Sequence, residues 1–385
     1  MSKQFCILPE GSIYIQPTGQ ISPCCLLIEQ EDEIGHLLKD TLNSAFHGKK
    51  YLNFRNDHKE NKLSASCIKQ CVTDIHNVVH KQSRTNLINN FRESNQDYNS
   101  KIVVADLSFG NVCNLTCTFC GPMWSSSWAK IFNEDNSSKS NTTWPIHYFD
   151  KEKLMSMADD LKDAKFISIK GGEPFNIPNL DEFLNKLVDL NPNVRLDFLT
   201  NGTEISDGHL RALEKFGGFS LTVSTEATGE LYRYLRGGKY TWNNVLENIK
   251  NAKSAGADFI GIASIILLYN YKYWARDMLE IQNELNLLKF NNMHISAQIC
   301  KGPLDQSLYT LKQSVRKKLV DDIKSHVAQG LNIQGINEMY DLITKENKVN
   351  ITKDKILEKI TLYDSIRNMD LFSITNNFTN DLDVE

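Results

Sequence analysis

From residue 101 onward, short apolar runs of period two alternate with stretches whose apolar positions recur every three to four residues. The first pattern predicts strands at 102–109, 166–170, 194–199, 219–224, 259–266 and 293–299. The second predicts helices at 180–189, 207–216, 240–255 and 273–288. Repeated strand-then-helix units imply a parallel sheet with right-handed crossovers. Six such units fit a partial (β/α)6 TIM-like barrel better than a full eightfold one, so the fold class is α/β. Parity sharpens this. His294, Ser296, Gln298 and Cys300 share one face of the sixth strand, Ser220, Thr222, Ser224 and Glu226 one face of the fourth, and Ser168 and Lys170 one face of the second. Covering helices demand the apolar faces, so the polar rows are expected to point into the barrel and line a solvated cavity. The alternative is a closed polar core in which the rows pair with one another.

The flanks differ from this core. Ile13-Tyr14-Ile15 reads as a strand and Gln16-Pro17-Thr18-Gly19-Gln20 as a turn, predicting with Ile21 a hairpin that delivers Cys24. A helical segment over 40–53 leads towards Cys67. The chain thus divides into a small cysteine-rich module (1–80), a polar linker (81–100), the barrel (101–302) and a helical C-terminal extension (303–385) with amphipathic helices at 311–328 and 353–366. Residues 133–143, NEDNSSKSNTT, form a polar insertion that reads as a mobile lid or as disorder.

Composition removes several classes of function. With 43 Lys+Arg against 47 Asp+Glu in 385 residues, the net charge of −4 gives no reason to expect nucleic-acid or anionic-membrane partners. The first residues lack a secretion signal's apolar core, and the most apolar stretch, 259–268, is too short for a membrane helix. The expectation is a soluble, cytoplasmic protein.

Nine cysteines are too few for a disulfide scaffold, and eight of them lie before residue 121. In a reducing compartment, clustered cysteines favour metal ligation or catalysis. Cys113, Cys117 and Cys120 form a C-x3-C-x2-C run directly after the first barrel strand, a spacing whose chance expectation among nine cysteines is on the order of 0.005. Three thiolates from one loop can hold three irons of a cubane cluster that normally takes four cysteines. The missing fourth ligand leaves one iron open, as in catalytic metal sites. A tetrahedral zinc with a distant fourth ligand is the alternative.

This constellation resembles the radical S-adenosylmethionine (radical SAM) superfamily, whose loop after the first barrel strand carries the same spacing. Gly171-Gly172-Glu173-Pro174, following Lys170, is similar to the family's GGEP motif, which receives the methionyl amino group. Thr200-Asn201-Gly202 closes the third strand as in many members. Ser224 and Glu226 stand where members carry S-x-D-G, which makes both candidate cofactor contacts, Ser224 towards the ribose, with Glu226 in place of Asp and Ala227 in place of Gly. Arg236 stands in a segment similar to Y-x-R-G and is a candidate partner for the methionyl carboxylate, the alternative being a surface ion pair. Cys6, Cys24, Cys67 and Cys71 resemble the ligands of an auxiliary-cluster module called twitch or SPASM, with Cys25 able to replace Cys24. A structural zinc on the same four thiols is the alternative for this module.

The resemblance implies a [4Fe–4S] cluster, S-adenosylmethionine as cofactor, and a second, auxiliary iron–sulfur cluster. Reductive cleavage of S-adenosylmethionine would give a 5′-deoxyadenosyl radical that takes a hydrogen atom from a substrate held in the barrel. The protein orients the reactants and excludes competitors, and the 133–143 insertion could gate the cavity. An electron donor such as flavodoxin or ferredoxin is implied. The substrate is a peptide in the first reading and a small metabolite or sugar in the second, although no peptide-leader-binding winged helix is evident in residues 1–100. Cys300, ending a strand in the polar row, is a candidate hydrogen-atom donor; its alternative is an inert buried thiol. A zinc-stabilised, non-catalytic binding protein is the rival outside this chemistry.

Overall fold

The computed structural model describes residues 6, 8–27, 29–73, 101–134, 143–290, 292–347 and 349–384. The expected linker over 81–100 and most of the 133–143 insertion lie outside them. The chain divides into two compact units, one formed by Met1–Cys113, Pro145–Leu199 and Ser206–Phe219, the other by Asn114–Trp144, Thr200–Ile205 and Ser220–Glu385.

In the first unit, β1 (Ser12–Ile15) and β2 (Gln20–Ser22) form the expected antiparallel hairpin, and β2 pairs with β3 (Gly35–His36). Gly19 closes the turn at φ 97°, a left-handed conformation that suits glycine. β1 also runs parallel to β4 (Val104–Ser108), with Tyr14 opposite Asp106, so the hairpin extends the barrel's sheet. The cysteine-rich segment was expected as a separate module, and nothing in its own periodicity shows this pairing. β4 then pairs in parallel with β5 (Phe166–Lys170), and β5 with β6 (Arg195–Thr200). Ile13, Ile15, Ala105, Leu107, Ile167, Ile169, Leu196 and Phe198 are sealed from solvent. The helix Leu180–Leu190 turns Leu180, Phe183, Leu184 and Leu187 inward at the i, i+3, i+4, i+7 spacing that its sequence shows.

The second unit carries the rest of β7 (Phe219–Ser224), then β8 (Ala257–Ile266), β9 (Asn292–Ile299) and the short β10 (Ile333–Gln334), neighbours in that order. β8 and β9 are parallel from Phe259 opposite Asn292 to Ile266 opposite Ile299, and β10 adds itself parallel to β9. Two residues are too few to show a strand pattern, and β10 is not evident in the sequence. The helices Gly229–Arg236, Trp242–Ser254 and Trp274–Leu287 follow the strands, and Gln313–Ala328, Ile336–Thr344 and Lys353–Arg367 make up the helical C-terminus. The six parallel strands β4 to β9 with their crossover helices are the βα units of a partial (β/α)6 fold.

The parity reading holds locally. In β5, Ile167 and Ile169 are buried while Ser168 and Lys170 keep partial access to solvent. Among the described residues, no helix is long and apolar enough to cross a membrane.

Candidate active site

At the end of β4 the chain enters the cysteine loop through Phe109–Cys113. The GGEP segment, directly after β5, packs against this entrance. Glu173 N donates to Val112 O at 2.8 Å, and Phe109 N to Lys170 O at 3.3 Å. Gly171 and Gly172 have φ of 90° and 48°. A Cβ on Gly172 would lie 2.3 Å from Val112 O and 2.7 Å from the Asn111 carbonyl carbon, so no larger residue fits without moving the backbone. Glu173 is fully buried, and its carboxylate accepts Phe175 N at 3.2 Å, capping the short turn that Pro174 begins. Asn111, which the sequence did not single out, ties the entrance to the chain at 145–147. It donates to Pro145 O at 3.1 Å and accepts His147 N at 2.8 Å.

In the other unit, four consecutive loop carbonyls accept side-chain donors. Leu115 O takes Ser125 Oγ at 2.7 Å, and Thr116 O takes Arg367 Nη2 at 2.5 Å. Cys117 O takes Trp128 Nε1 at 2.9 Å, and Thr118 O takes Gln306 Nε2 at 2.6 Å and Tyr363 Oη at 3.0 Å. The Cys117 and Cys120 thiols are free. Burial pushes the Cys117 thiol up, with Arg236 opposing, and pushes Cys120 up to about 12, with Cys117 beside it adding to the rise.

Arg236, the last residue of its helix, is buried, and Gly237 caps that helix at φ 62°. Its Nη1 lies 3.6 Å from Cys117 Sγ and its guanidinium 5.3 Å from the Phe119 ring centroid. Its Nη2 lies 2.8 Å from Glu226 Oε1 and 2.7 Å from Oε2. Burial pushes the Glu226 carboxyl up while the guanidinium holds it down, and the same partner raises Arg236 against its own burial. The two short contacts decide for an ionised pair, with Arg236 held charged. The ion pair foreseen as an alternative for Arg236 is therefore present but buried, and it links two predicted site residues. Arg236 Nε is buried without a hydrogen-bond partner among the described residues.

Asn201 serves the loop as well. Its Nδ2 donates to Asn114 Oδ1 at 3.0 Å, while its Oδ1 accepts Thr203 N and Oγ1 at 2.9 and 2.7 Å. Asn114, inside the cysteine run, in turn donates to Thr203 Oγ1 at 3.0 Å. Ser224 ends β7, half-buried. Cys300 follows β9 in the core, 4% exposed, with Sγ 3.3 Å from Gly302 O. Burial, then the Asp305 charge, pushes this thiol up to about 12.

Around the hairpin, Cys24 and Cys25 follow β2, and the Cys24 hydrogen bond, then burial, raises Cys25. Cys25 shares its surroundings with Lys170 and Asp106, which pair at 2.7 Å beneath the Tyr14 ring. Cys67 N donates to Ser64 Oγ at 3.2 Å, Cys67 Sγ lies 3.6 Å from His58 Nε2, and burial raises the Cys67 thiol, with the Ser64 hydrogen bond opposing and Cys71, one turn on, adding to the rise. Cys6 is half-buried. Among the described residues, no group of three or more His, Cys, Asp or Glu side chains is preset to hold a metal ion.

Residues missed by the sequence reading include Asn111, Asn114, Trp128, Gln306, Tyr363 and Arg367. Only Tyr363 and Arg367 left a signal, an i, i+4 pair on one face of their helix.

Residues 107–281 match the family profile of the radical SAM superfamily, and residues 6–72 match SPASM, an iron–sulfur cluster-binding domain. Among curated proteins, GTP 3′,8-cyclase of Psychromonas ingrahamii is 23% identical over 57% of this chain and 65% of its own. GTP 3′,8-cyclase of Helicobacter pylori is 26% identical over 41% of this chain and 46% of its own. The chain thus spans under two thirds of the length of these curated relatives. Among solved structures, Streptococcus suis SuiB bound to precursor peptide SuiA is 14% identical with a TM-score of 0.42, over 80% of this chain and 68% of that one.

Proposed function

Because residues 107–281 match the radical SAM superfamily, we propose that the chain is an enzyme that cleaves S-adenosylmethionine reductively and abstracts a hydrogen atom from an organic substrate. Cys113, Cys117 and Cys120 would hold a [4Fe–4S] cluster, and Cys6, Cys24, Cys67 and Cys71 an auxiliary one, as the SPASM match implies. A [4Fe–4S] group held by the first three thiolates would, once reduced by an external donor, supply the electron for reductive cleavage of S-adenosylmethionine. Residue chemistry near the first of these groups supports the reading, although the side chains are not gathered into a preset metal cage among the described residues. Three cysteines within eight residues are a thiolate donor set, and the buried, unpartnered Nε of Arg236 suits a ligand carboxylate.

The chain's own work is positioning. Gly171 and Gly172 let the end of β5 lie against the loop entrance, and Arg236 faces Cys117 with a cation held in place by Glu226. Ser224 and Asn201, at the ends of β7 and β6, stand at the C-terminal ends of parallel strands, where sites of this fold class form. The observation that carries the reading is the loop entrance locked onto the GGEP segment through Val112 O and Glu173 N.

A peptide is the first substrate reading, from the resemblance of the N-terminal module. The curated relatives' name, GTP 3′,8-cyclase, favours the second, a small metabolite. A flavodoxin- or ferredoxin-type donor in a reducing cytoplasm would supply the electron.

Anaerobic reconstitution with iron and sulfide counting, followed by assay of 5′-deoxyadenosine, tests the proposal. The native chain is expected to bind two clusters and release 5′-deoxyadenosine on reduction. The Cys113→Ala/Cys117→Ala/Cys120→Ala variant should keep roughly half the iron and release none. A colourless, zinc-loaded chain that leaves S-adenosylmethionine intact would point to the zinc-stabilised binding protein instead.

A further inference from the structure

We infer that the C-terminal extension is the clamp that sets the cysteine loop, with Arg367 and Tyr363 as positioning residues for Cys117 and Cys120. The family profile ends at residue 281, so it assigns this segment no part in the site. Yet two of the four clamped carbonyls are held from it. Arg367 Nη2 donates to Thr116 O, and Gln306 and Tyr363 both donate to Thr118 O. These are the residues on either side of Cys117.

The attachment is specific. Gln306 makes a two-way contact with Thr118, because Thr118 Oγ1 also donates to Gln306 Oε1 at 2.7 Å. Arg367 uses a second nitrogen, Nε, on Tyr234 O at 2.6 Å, and its guanidinium lies 5.0 to 5.9 Å from the ring centroids of Tyr363, Tyr234 and Trp128. Trp128 in turn holds Cys117 O, so each group touching the loop also touches another member of the set. A planar guanidinium bridging a loop carbonyl and a helix carbonyl at fixed angles is a rigid spacer that a flexible ammonium cannot copy. It joins the loop to Tyr234, two residues before Arg236, the residue that faces Cys117. Residues Tyr363 and Arg367 sit one turn apart on the helix Lys353–Arg367, so a single helix delivers both donors.

The inference rests on the reading of Cys117 and Cys120 as cluster ligands, but its test separates the two. In the metal-free full-length chain, alkylation of each cysteine is followed by mass spectrometry, with buried Cys300 as internal control. Arg367→Met is expected to speed alkylation of Cys117 and Cys120 by about tenfold, the scale of one charge-assisted hydrogen bond, and to leave Cys300 unchanged. Arg367→Lys should recover part of the protection, and Tyr363→Phe, which removes one hydroxyl, should give a smaller rise at the same two thiols. After reconstitution, the same order should appear in the rate at which a chelator strips iron from the variants. Native alkylation rates at Cys117 and Cys120 in both Arg367→Met and Tyr363→Phe would overturn the clamp, as would an equal rise at Cys300. Native protection lost on mutation in a chain that never binds iron would keep the clamp and reject the cluster.

Discussion

The contact between Arg236 and Glu226 is the site's main electrostatic commitment. Both side chains are almost fully withdrawn from water, so each depends on the other to remain charged. Removing one partner of such a pair leaves an uncompensated charge and typically costs about 3–5 kcal/mol, although replacing both by apolar groups can be nearly neutral. Glu226→Gln should fall below that range, since the amide oxygen still accepts one hydrogen bond, and Arg236→Met should reach it. The double variant should recover most of the loss, and this non-additivity, read from urea denaturation curves, is the measurement that matters. Simply additive losses would mean that the two groups do not support each other. The sequence brought both residues forward as ligand contacts. It did not show that they bind each other, because a residue just past a strand and the last residue of a helix ten positions on meet only once the connection and the helix Gly229–Arg236 between them are built.

Among the elements, the strands and helices were the easiest to read and their attachments the hardest. Phe166–Lys170 and Phe219–Ser224 match their predicted bounds because one face of each is apolar and buried, and period two is then unambiguous. The pairing of β1 with β4 and the docking of the C-terminal helix depend on partners about ninety and 250 residues away, which no local period records. The helix Asp207–Leu213 shows how much an end depends on such detail. Ser206 Oγ accepts His209 N, and His209 Nδ1 returns the contact by accepting Ser206 N at 3.4 Å, which requires a neutral ring. The imidazole also packs on Phe175, just beyond the GGEP segment. Burial holds its pKa below the ordinary value of about 6.5, with the Asp181 charge opposing. Below that pH the unfolded chain takes the proton first, so this contribution to stability is present at neutral pH and is lost as pH falls. The melting temperature should therefore drop between about pH 7.5 and 5.5. His209→Gln, whose amide oxygen can accept the same hydrogen bond without titrating, should flatten part of the slope. Parallel slopes for the two proteins would remove His209 from the account.

Over the whole chain, the consequence lies in how the cysteine-rich segment is attached. Read from sequence, residues 1–80 are a small cysteine-rich module ahead of the barrel, with no sign of how it joins the sheet. The strand β1 instead supplies the parallel neighbour of β4, from Ser12 opposite Val104 to Ile15 opposite Leu107, and β4 is the strand that leads into the cysteine loop. Deleting residues 1–80 would leave one edge of β4 with a row of unpaired N–H and C=O groups beside exposed apolar surface, the arrangement that drives edge-to-edge association. The truncated chain should therefore aggregate or bind no iron, even though every residue matched to the radical SAM superfamily, 107–281, is retained. The full-length Cys67→Ala/Cys71→Ala variant distinguishes loss of the sheet from loss of a metal. It keeps β1 in place, so it should remain soluble, lose the N-terminal iron and still release 5′-deoxyadenosine. Size-exclusion chromatography with iron analysis on the two proteins decides the point. A soluble, iron-binding chain lacking residues 1–80 would mean that β4 does not need its neighbour and that the hairpin is, after all, a separable module.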